Sequence, residues 1–320
     1  MNPPTPLLEG LHSFKLPIPY PMKTVTVLVS TASPITLIDT GVNHLETQVA
    51  LEEHLKSLGL TVLDLERVIL THNHPDHSGL SGWIQRQSGA KVLMLDHEVQ
   101  DSAHYLSSTW FKPHLEHLTA HGLPPELAPT LEGFQKSRAE IDFPETVQTL
   151  QAGDTLELVG ERFEVLWMPG HSDGHLTLWS ANSGLLIAGD VLLERITPHI
   201  GLYARGRPDP LGDYLTSLER IVALEPRSTV VGHYGPTIEG GAVRANQIRE
   251  HHHERLEHLQ TLLERPLGGF EVSLELFRRE LPASGRRFAL TETLAHLEHL
   301  RLRGVLRREW VNEGWLYAKV

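Results

Sequence analysis

The stretch that most constrains the fold is residues 71–79, which read Thr-His-Asn-His-Pro-Asp-His-Ser-Gly. The preceding residues 67–70, Arg-Val-Ile-Leu, predict a short buried strand, and residues 79–82, Gly-Leu-Ser-Gly, predict the beginning of a helix. Three imidazoles and one carboxylate therefore lie within six positions of one strand-to-helix turn. So dense a group of metal-ligand side chains favours a metal site over a polar surface loop.

The spacing within this turn divides its side chains between two ions. His72 and His74 are two residues apart at a predicted strand end, so both rings point to the same side and can reach one metal ion. Asp76 and His77 lie further round the turn and can face a second ion. The sequence contains no cysteine, which excludes thiolate ligands and disulfides. Nitrogen and oxygen donors of this kind suit zinc, with iron and manganese as alternatives.

The pattern His72-x-His74-x-Asp76-His77 resembles the signature of the metallo-beta-lactamase superfamily, whose α/β fold is an αββα sandwich. Hydrolases such as glyoxalase II, RNase Z and lactonases belong to it. Three later stretches resemble its further motifs: residues 169–175 (Pro-Gly-His-Ser-Asp-Gly-His), residues 186–190 (Leu-Ile-Ala-Gly-Asp) and residues 230–236 (Val-Val-Gly-His-Tyr-Gly-Pro). The resemblance therefore implies a metal-dependent hydrolase.

The resemblance also implies a ligand set for two divalent cations, with zinc foremost. The first cation would be bound by His72, His74 and His171, the second by Asp76, His77 and His233, with Asp190 bridging both. Two such cations share a hydroxide that attacks the substrate, so no serine or cysteine nucleophile is needed. Asp76 is the expected catalytic carboxylate, which helps to move the proton.

Three further residues are expected to support this centre without binding metal. Asp39, in Asp39-Thr40-Gly41, resembles the first motif of the family, whose aspartate orients an imidazole through its other nitrogen. A simple turn-forming role for Asp39 is the alternative. Thr71 and His175 are assigned the same supporting role. For His175 the reason is that the family's histidine at this position is normally structural.

The domain prediction is a catalytic domain at residues 1–242 and a smaller domain at residues 243–320. Residues 98–145 are helix-like and are interpreted as an insertion, which either forms a lid or substrate wall or only packs over the sandwich or makes a homodimer contact. The histidines of this insertion are predicted to be surface or capping residues rather than ligands: His104, His114, His117 and His121.

The end of the chain has a different character from the rest. Residues 243–320 carry 13 Lys and Arg against 11 Asp and Glu, whereas the whole chain has a formal net charge of -12. Helices followed by a hairpin around residues 312–314 resemble a winged helix, and one branch of the superfamily, which includes a mitochondrial endoribonuclease, ends in such a domain. His251, His252 and His253 are predicted to lie on a helix surface, since neighbouring helix positions point about 100° apart.

Three functions are compatible with the sequence. The first choice is hydrolysis of a small-molecule ester, thioester or lactone, because the net charge of -12 disfavours nucleic acid and membrane partners. The second is an endoribonuclease that binds RNA through the winged helix, with a phosphate-binding surface formed by Arg278, Arg279, Arg286, Arg287, Arg301, Arg303, Arg307 and Arg308. The third is a non-enzymatic nucleic-acid-binding regulator. No signal peptide or transmembrane run is recognisable, so a cytoplasmic location is expected.

Overall fold

The computed structural model describes residues 5–107 and 109–320. Its first sheet begins with an antiparallel meander and continues with parallel strands. The strands, in their hydrogen-bonded order, are β1 (Thr5–Leu8), β2 (Leu11–Pro17), β3 (Thr24–Ser30), β4 (Thr36–Ile38), β5 (Arg67–Ile69), β6 (Lys91–Leu95) and β7 (Val147–Leu150). Strands β3 to β6 are rich in Val, Ile and Leu because helices or the second sheet cover both of their faces.

The second sheet lies against the first. Its strands are β8 (Thr155–Leu158), β9 (Glu161–Trp167), β10 (Leu176–Ser180), β11 (Leu185–Gly189), β12 (Ser228–Val231) and β13 (Thr237–Glu239). Neighbours pair antiparallel except β11 and β12, which are parallel. Ile38 and Leu93 of the first sheet share one buried apolar cluster with Phe163 and Ile187 of the second. This cluster is the inner layer of a sandwich.

Helices cover the outer faces of both sheets. In chain order they are α1 (Leu45–Ser57), α2 (Pro75–Ser78), α3 (Ser81–Ser88), α4 (Asp96–Tyr105), α5 (Phe111–Ala120), α6 (Pro129–Ala139), α7 (Pro210–Leu224), α8 (Gly241–Leu262), α9 (Gly269–Leu276) and α10 (Ala283–Leu302). Helices α1 and α3 pack on the first sheet, and α7 packs on the second. The predicted αββα sandwich is therefore confirmed. No helix in the described part of the chain is long and apolar enough to cross a membrane.

The C-terminal segment consists of α8, α9, α10 and a small sheet. Its strands β14 (Leu267–Gly268), β15 (Leu306–Val311) and β16 (Gly314–Lys319) lie in the order β14-β16-β15. The hairpin predicted around residues 312–314 is present, with Val311 paired to Gly314. Leu290 and Leu294 of α10 share a buried cluster with Leu218 of α7. The domain division and the winged-helix interpretation both stay predictions.

Some histidines predicted to lie on the surface are buried instead. His252 of α8 is fully buried and its Nδ1 lies 3.0 Å from Nε2 of His296 on α10, because α8 packs between α7 and α10. His114 and His121 of α5 are also buried, and His121 stacks on Tyr317 of β16. The surface prediction is wrong for these three, since both helices have neighbours on more than one side.

Candidate metal centre

The candidate site lies where loops leave the carboxyl ends of five strands. Asp39 follows β4, His171 follows β9, Asp190 follows β11 and His233 follows β12. Strand β5 ends at Ile69, one residue earlier than predicted, and His72 and His74 lie in the turn that follows it. Parallel pairing of β4 with β5 and of β11 with β12 places these loops at one edge of the sandwich.

One group of ring nitrogens comes from two of these loops. Nε2 of His72 and Nε2 of His171 each lie 3.0 Å from Nδ1 of His74. These three nitrogens lie within 4.8 Å of one another. Three neutral imidazoles that aim nitrogens at one point form the donor set of a zinc site.

A second group lies beside the first. Nε2 of His233 is 3.3 Å from Oδ2 of Asp76, and Nε2 of His77 is 4.0 Å from the same oxygen. Asp190 lies between the two groups: its Oδ1 is 3.5 Å from His77 Nε2, and its Oδ2 is 3.7 Å from His171 Nε2. The structure thus brings together all seven side chains that the sequence singled out, while their role as ligands stays a prediction.

The donor atoms of these groups are suited to cations. His77 Nε2, His233 Nε2 and Asp190 Oδ1 are buried and have no hydrogen-bond partner among the described residues. Leaving such atoms unsatisfied costs free energy that a bound cation would recover. The residues therefore fit two divalent cations held by nitrogen and oxygen.

In four of these histidines a neighbouring group holds the second ring nitrogen, which fixes the ring's orientation and directs the other nitrogen at the centre. His171 is held by the carbonyl of His199, whose own ring lies 3.4 Å from Glu292 and 3.2 Å from Thr291 on α10. The pairs are His72 Nδ1 with Thr71 Oγ1 at 3.0 Å, His77 Nδ1 with Asp39 Oδ2 at 2.7 Å, His171 Nδ1 with His199 O at 2.9 Å and His233 Nδ1 with Thr24 O at 2.8 Å.

Comparison with known proteins identifies the family. The sequence model of the Metallo-beta-lactamase superfamily matches residues 20–233, and that of the Metallo-beta-lactamase-like C-terminal domain matches residues 256–318. The chain belongs to the metallo-beta-lactamase superfamily. It is a hydrolase of this superfamily, with relatives named as metallo-hydrolases.

Several relatives match this superfamily member over most of its length. A metallo-beta-lactamase family protein from Thermus thermophilus superposes with a TM-score of 0.89 at 37% identity, covering 98% of this chain and 100% of that one. A beta-lactamase domain protein from Burkholderia ambifaria superposes with a TM-score of 0.87 at 26% identity, covering 100% and 96%. The probable metallo-hydrolase YqjP of Bacillus subtilis is 26% identical over 94% of this chain and 95% of its own length.

In this superfamily member the carboxylates create a strongly negative field at the second group. Burial lowers the pKa of His233, but Asp190 and Asp76 outweigh burial and raise it to about 10. The pKa of His77 is likewise raised well above its ordinary value by Asp190, Asp39 and Asp76 against the effect of burial. A field that stabilises a proton at these nitrogens also stabilises a divalent cation.

The predicted supporting residues all lie next to the centre. Asp39 Oδ1 accepts a hydrogen bond of 2.8 Å from the Thr71 backbone N–H, and Thr71 Oγ1 donates to Asp39 Oδ2 at 2.8 Å. Asp39 has a φ of 59°, a strained conformation that these bonds hold in place. His175 Nε2 accepts a hydrogen bond of 3.2 Å from the Asp190 backbone N–H. That bond uses the nitrogen that faces Asp190, so His175 supports the loop instead of joining the donor groups.

One supporting residue escaped the sequence analysis. The buried carboxylate of Glu98, on α4, accepts hydrogen bonds from Asn73 N at 2.7 Å, Gly174 N at 2.8 Å and Ser172 Oγ at 3.0 Å. It therefore ties the loop of His72 and His74 to the loop of His171. Burial, with a further contribution from Asp101, raises the pKa of Glu98 to about 8 while the three donors oppose the rise. No local pattern distinguishes it from an exposed acid in the first turn of a helix.

Proposed function

We propose that this chain hydrolyses a small-molecule ester, thioester or lactone with the help of two divalent cations, most simply Zn²⁺. The observation that carries the proposal is the convergence of seven nitrogen and oxygen donors from loops up to 161 residues apart (233 − 72). The proposed ligands are His72, His74 and His171 for one cation, Asp76, His77 and His233 for the other, and Asp190 for both.

The side chains of the site divide the chemistry between them. Bound divalent cations supply a nucleophilic oxygen from water near neutral pH and polarise the carbonyl oxygen of the substrate. Asp76 is buried beside His233, and its pKa is lowered by His77 and His233 although burial raises it. We propose that this carboxylate accepts the proton of the attacking water and passes it to the leaving group. Asp39 and the backbone carbonyls keep the imidazoles in place meanwhile.

The names of relatives support hydrolysis of a small acyl compound. Hydroxyacylglutathione hydrolase GloC of Haemophilus influenzae is 27% identical over 58% of this chain and 76% of its own length. The C-terminal segment, which we interpret as winged-helix-like, distinguishes this chain from a protein made of the sandwich alone.

RNA cleavage is the second candidate, favoured by the exposed aromatic surface of the C-terminal hairpin. Trp310 of β15 is 54% exposed and packs edge-on against Trp315, which suits base stacking. The arginines proposed as a phosphate-binding surface are largely engaged within the chain. Arg287 is only 1% exposed, which corrects its placement there, and Arg303 and Arg308 pair with Asp209 and Glu298. The small-molecule reaction is therefore preferred.

Metal analysis and a substrate panel test the proposal with one preparation. We expect about two equivalents of transition metal per chain and turnover of at least one ester, thioester or lactone. His72→Ala and Asp190→Asn should lose both metal and turnover, whereas His253→Ala, at an exposed position on α8, should lose neither. Cleavage of single-stranded RNA that disappears in these two variants, without turnover of any ester, would overturn the assignment in favour of the nuclease. A metal-free protein that binds nucleic acid would indicate a regulator.

A further inference from the structure

An apolar cavity of about 580 Å³ adjoins the candidate metal centre. His74, Asp76, His171 and Asp190 line its inner end, so a molecule in the cavity would touch the donor groups. The volume matches that of pockets which enclose small organic ligands. The cavity is therefore in position to hold the part of a substrate next to the bond that is cut.

Four separate parts of the chain contribute to its walls. Tyr20 and Met22 come from the loop between β2 and β3, and Ile196 comes from the loop after β11. Phe134 comes from α6, within the predicted insertion, and Phe288 comes from α10 of the C-terminal segment. The insertion and the C-terminal segment thus both contribute to the wall of the cavity.

The apolar lining is exposed where a ligand would cover it. Ile196 is 43% exposed and Phe288 is 36% exposed. These two large side chains expose apolar surface to water. A hydrocarbon group bound there would bury that surface.

The charged groups in the wall already have partners within the chain. Glu292 forms an ion pair with Arg255. The guanidinium of Arg287 lies 4.4 Å from the ring centre of Phe134 and 4.2 Å from that of Phe288. With these charges engaged, the wall of the cavity does not suit a polyanion such as RNA.

We propose that this cavity binds a hydrocarbon chain next to the scissile bond, so that the substrate is a medium-chain ester or thioester. The inference rests on the proposed hydrolase function and specifies its substrate class. In the reaction, water adds its oxygen to the carbonyl carbon, the bond to the leaving oxygen or sulfur breaks, and a carboxylic acid and an alcohol or thiol are released. The chain lies on either the acyl or the leaving-group side of that bond.

Gly133 of α6 provides a sharp test. It lines the cavity, and a Cβ added there meets no atom within 4 Å. Gly133→Phe should therefore fill the space without disturbing the backbone, and Gly133→Ala is the matched control. Ile196→Asn is a second variant, which makes the opening polar at an exposed loop position.

Binding is measured first, because it does not depend on turnover. Octanoate and acetate are titrated calorimetrically into the metal-loaded protein. Each buried methylene strengthens binding roughly fourfold, so octanoate should bind at least tenfold more tightly than acetate. Gly133→Phe and Ile196→Asn should remove most of this preference and leave acetate binding unchanged, while Gly133→Ala should retain it. Equal affinities for the two carboxylates in the unaltered protein would overturn the proposal.

Turnover is then measured along two series, p-nitrophenyl esters with acyl chains of increasing length and acetate esters of increasingly long alcohols. A rise of kcat/KM with chain length in either series, abolished by Gly133→Phe, supports the proposal and identifies the side that carries the chain. Turnover without any length preference would overturn it while leaving the hydrolase function intact. Octanoate binding without turnover of any ester would contradict the hydrolase function instead. Absence of octanoate binding together with a dimer that Ile196→Asn dissociates would assign the apolar surface to a second copy of the chain.

Discussion

At the scale of single residues, the candidate centre depends on how closely the backbone approaches Asp190. Gly232 lies beside this carboxylate, and a Cβ built on it would be 1.9 Å from Asp190 Oδ1 and 3.1 Å from His77 Cε1. Its backbone lies outside the left-handed region, so steric contact alone opposes a side chain there. The glycine before His233 is therefore required for the carboxylate to lie between both donor groups.

Gly232→Ala is expected to displace the Asp190 carboxylate and to reduce metal affinity or turnover roughly 10–100-fold, the loss typical when groups around a metal are disturbed. Metal content per chain and ester turnover measure the effect. Gly133→Ala serves as control, because a Cβ at Gly133 meets nothing within 4 Å. Unchanged metal content in Gly232→Ala would show that metal binding does not require the present position of the Asp190 carboxylate.

Glu98→Gln should destabilise the protein, since the amide replaces one acceptor oxygen with a donor that faces the N–H of Asn73 or Gly174. Loss of one satisfied buried hydrogen bond costs about 1–3 kcal/mol. Thermal unfolding detects this change, and metal content shows the looser connection between the two loops. Glu52→Gln, at an exposed position on α1, is the matched control and should change stability by less than about 0.5 kcal/mol. Equal unfolding temperatures for the two variants would rule out the role given to Glu98.

The sequence predicted the groups that converge but not all of those that hold them. His72, His74 and Asp76 stand in one dense motif, and the later ligand candidates follow apolar strands. Glu98 carries no such pattern, and its importance arises only because α4 packs beside both loops. The carbonyl of Thr24 is a backbone group, which no side-chain motif can reveal.

At the scale of elements, α7 begins at a residue that also binds α10. Asp209 caps α7 by accepting a hydrogen bond of 2.9 Å from Gly212 N. The same carboxylate accepts hydrogen bonds from His299 Nδ1 at 2.9 Å and Arg303 Nη1 at 2.8 Å. Although burial acts in the opposite direction, these three donors hold the pKa of Asp209 well below its ordinary value of 3.8.

Asp209→Ala is expected to cost about 1–2 kcal/mol near neutral pH, because the N-cap acceptor disappears together with the link to α10. Asp209→Asn should cost less, since asparagine keeps the cap. The pKa of Asp209 is lower in the folded protein than in the unfolded chain. The stabilisation that its carboxylate gives is therefore complete above pH 3.8 and is lost as the pH falls through the pKa of the folded state. Denaturant unfolding at several pH values measures this. If the difference in unfolding free energy between wild type and Asp209→Ala is unchanged at the lowest pH, the ionised carboxylate of Asp209 does not stabilise the fold.

The sequence predicts helices and strands well where one local pattern dominates. It predicts less well the features that depend on packing between distant parts of the chain. Strand β5, the helix α3 after the central turn and the hairpin of β15 and β16 lie where the sequence pattern placed them. Helix α10 spans Ala283–Leu302 and packs against α6 and α9. The burial of His252 likewise depends on α10, which is distant in sequence.

At the scale of the whole molecule, the C-terminal segment shares a buried apolar cluster with helices of the sandwich. One buried cluster contains Leu118 of α5, Leu218 of α7, Leu294 of α10 and Tyr317 of β16. The sequence alone distinguishes a mildly basic C-terminal segment from the strongly acidic rest of the chain. This charge distribution does not predict which apolar surfaces pack against each other. The packing of the tail against α5 and α7 was therefore outside what the sequence could predict.

A shared core predicts that the chain unfolds in a single cooperative transition. Scanning calorimetry should give one peak whose calorimetric and van't Hoff enthalpies agree. Asp209→Ala, which weakens the link between α7 and α10, should lower the midpoint of that one peak without splitting it. Two separable transitions would instead show that the tail is an independent unit.

The contact from His171 through His199 to Thr291 and Glu292 has a consequence for how the protein is made. Translation runs from the N-terminus, and domains fold as their residues emerge. A nascent chain that has completed both sheets still lacks the helix that steadies the loop of His171. The ribosome therefore has to synthesise α10, which follows every strand of both sheets, before the loops of the candidate centre reach their final arrangement.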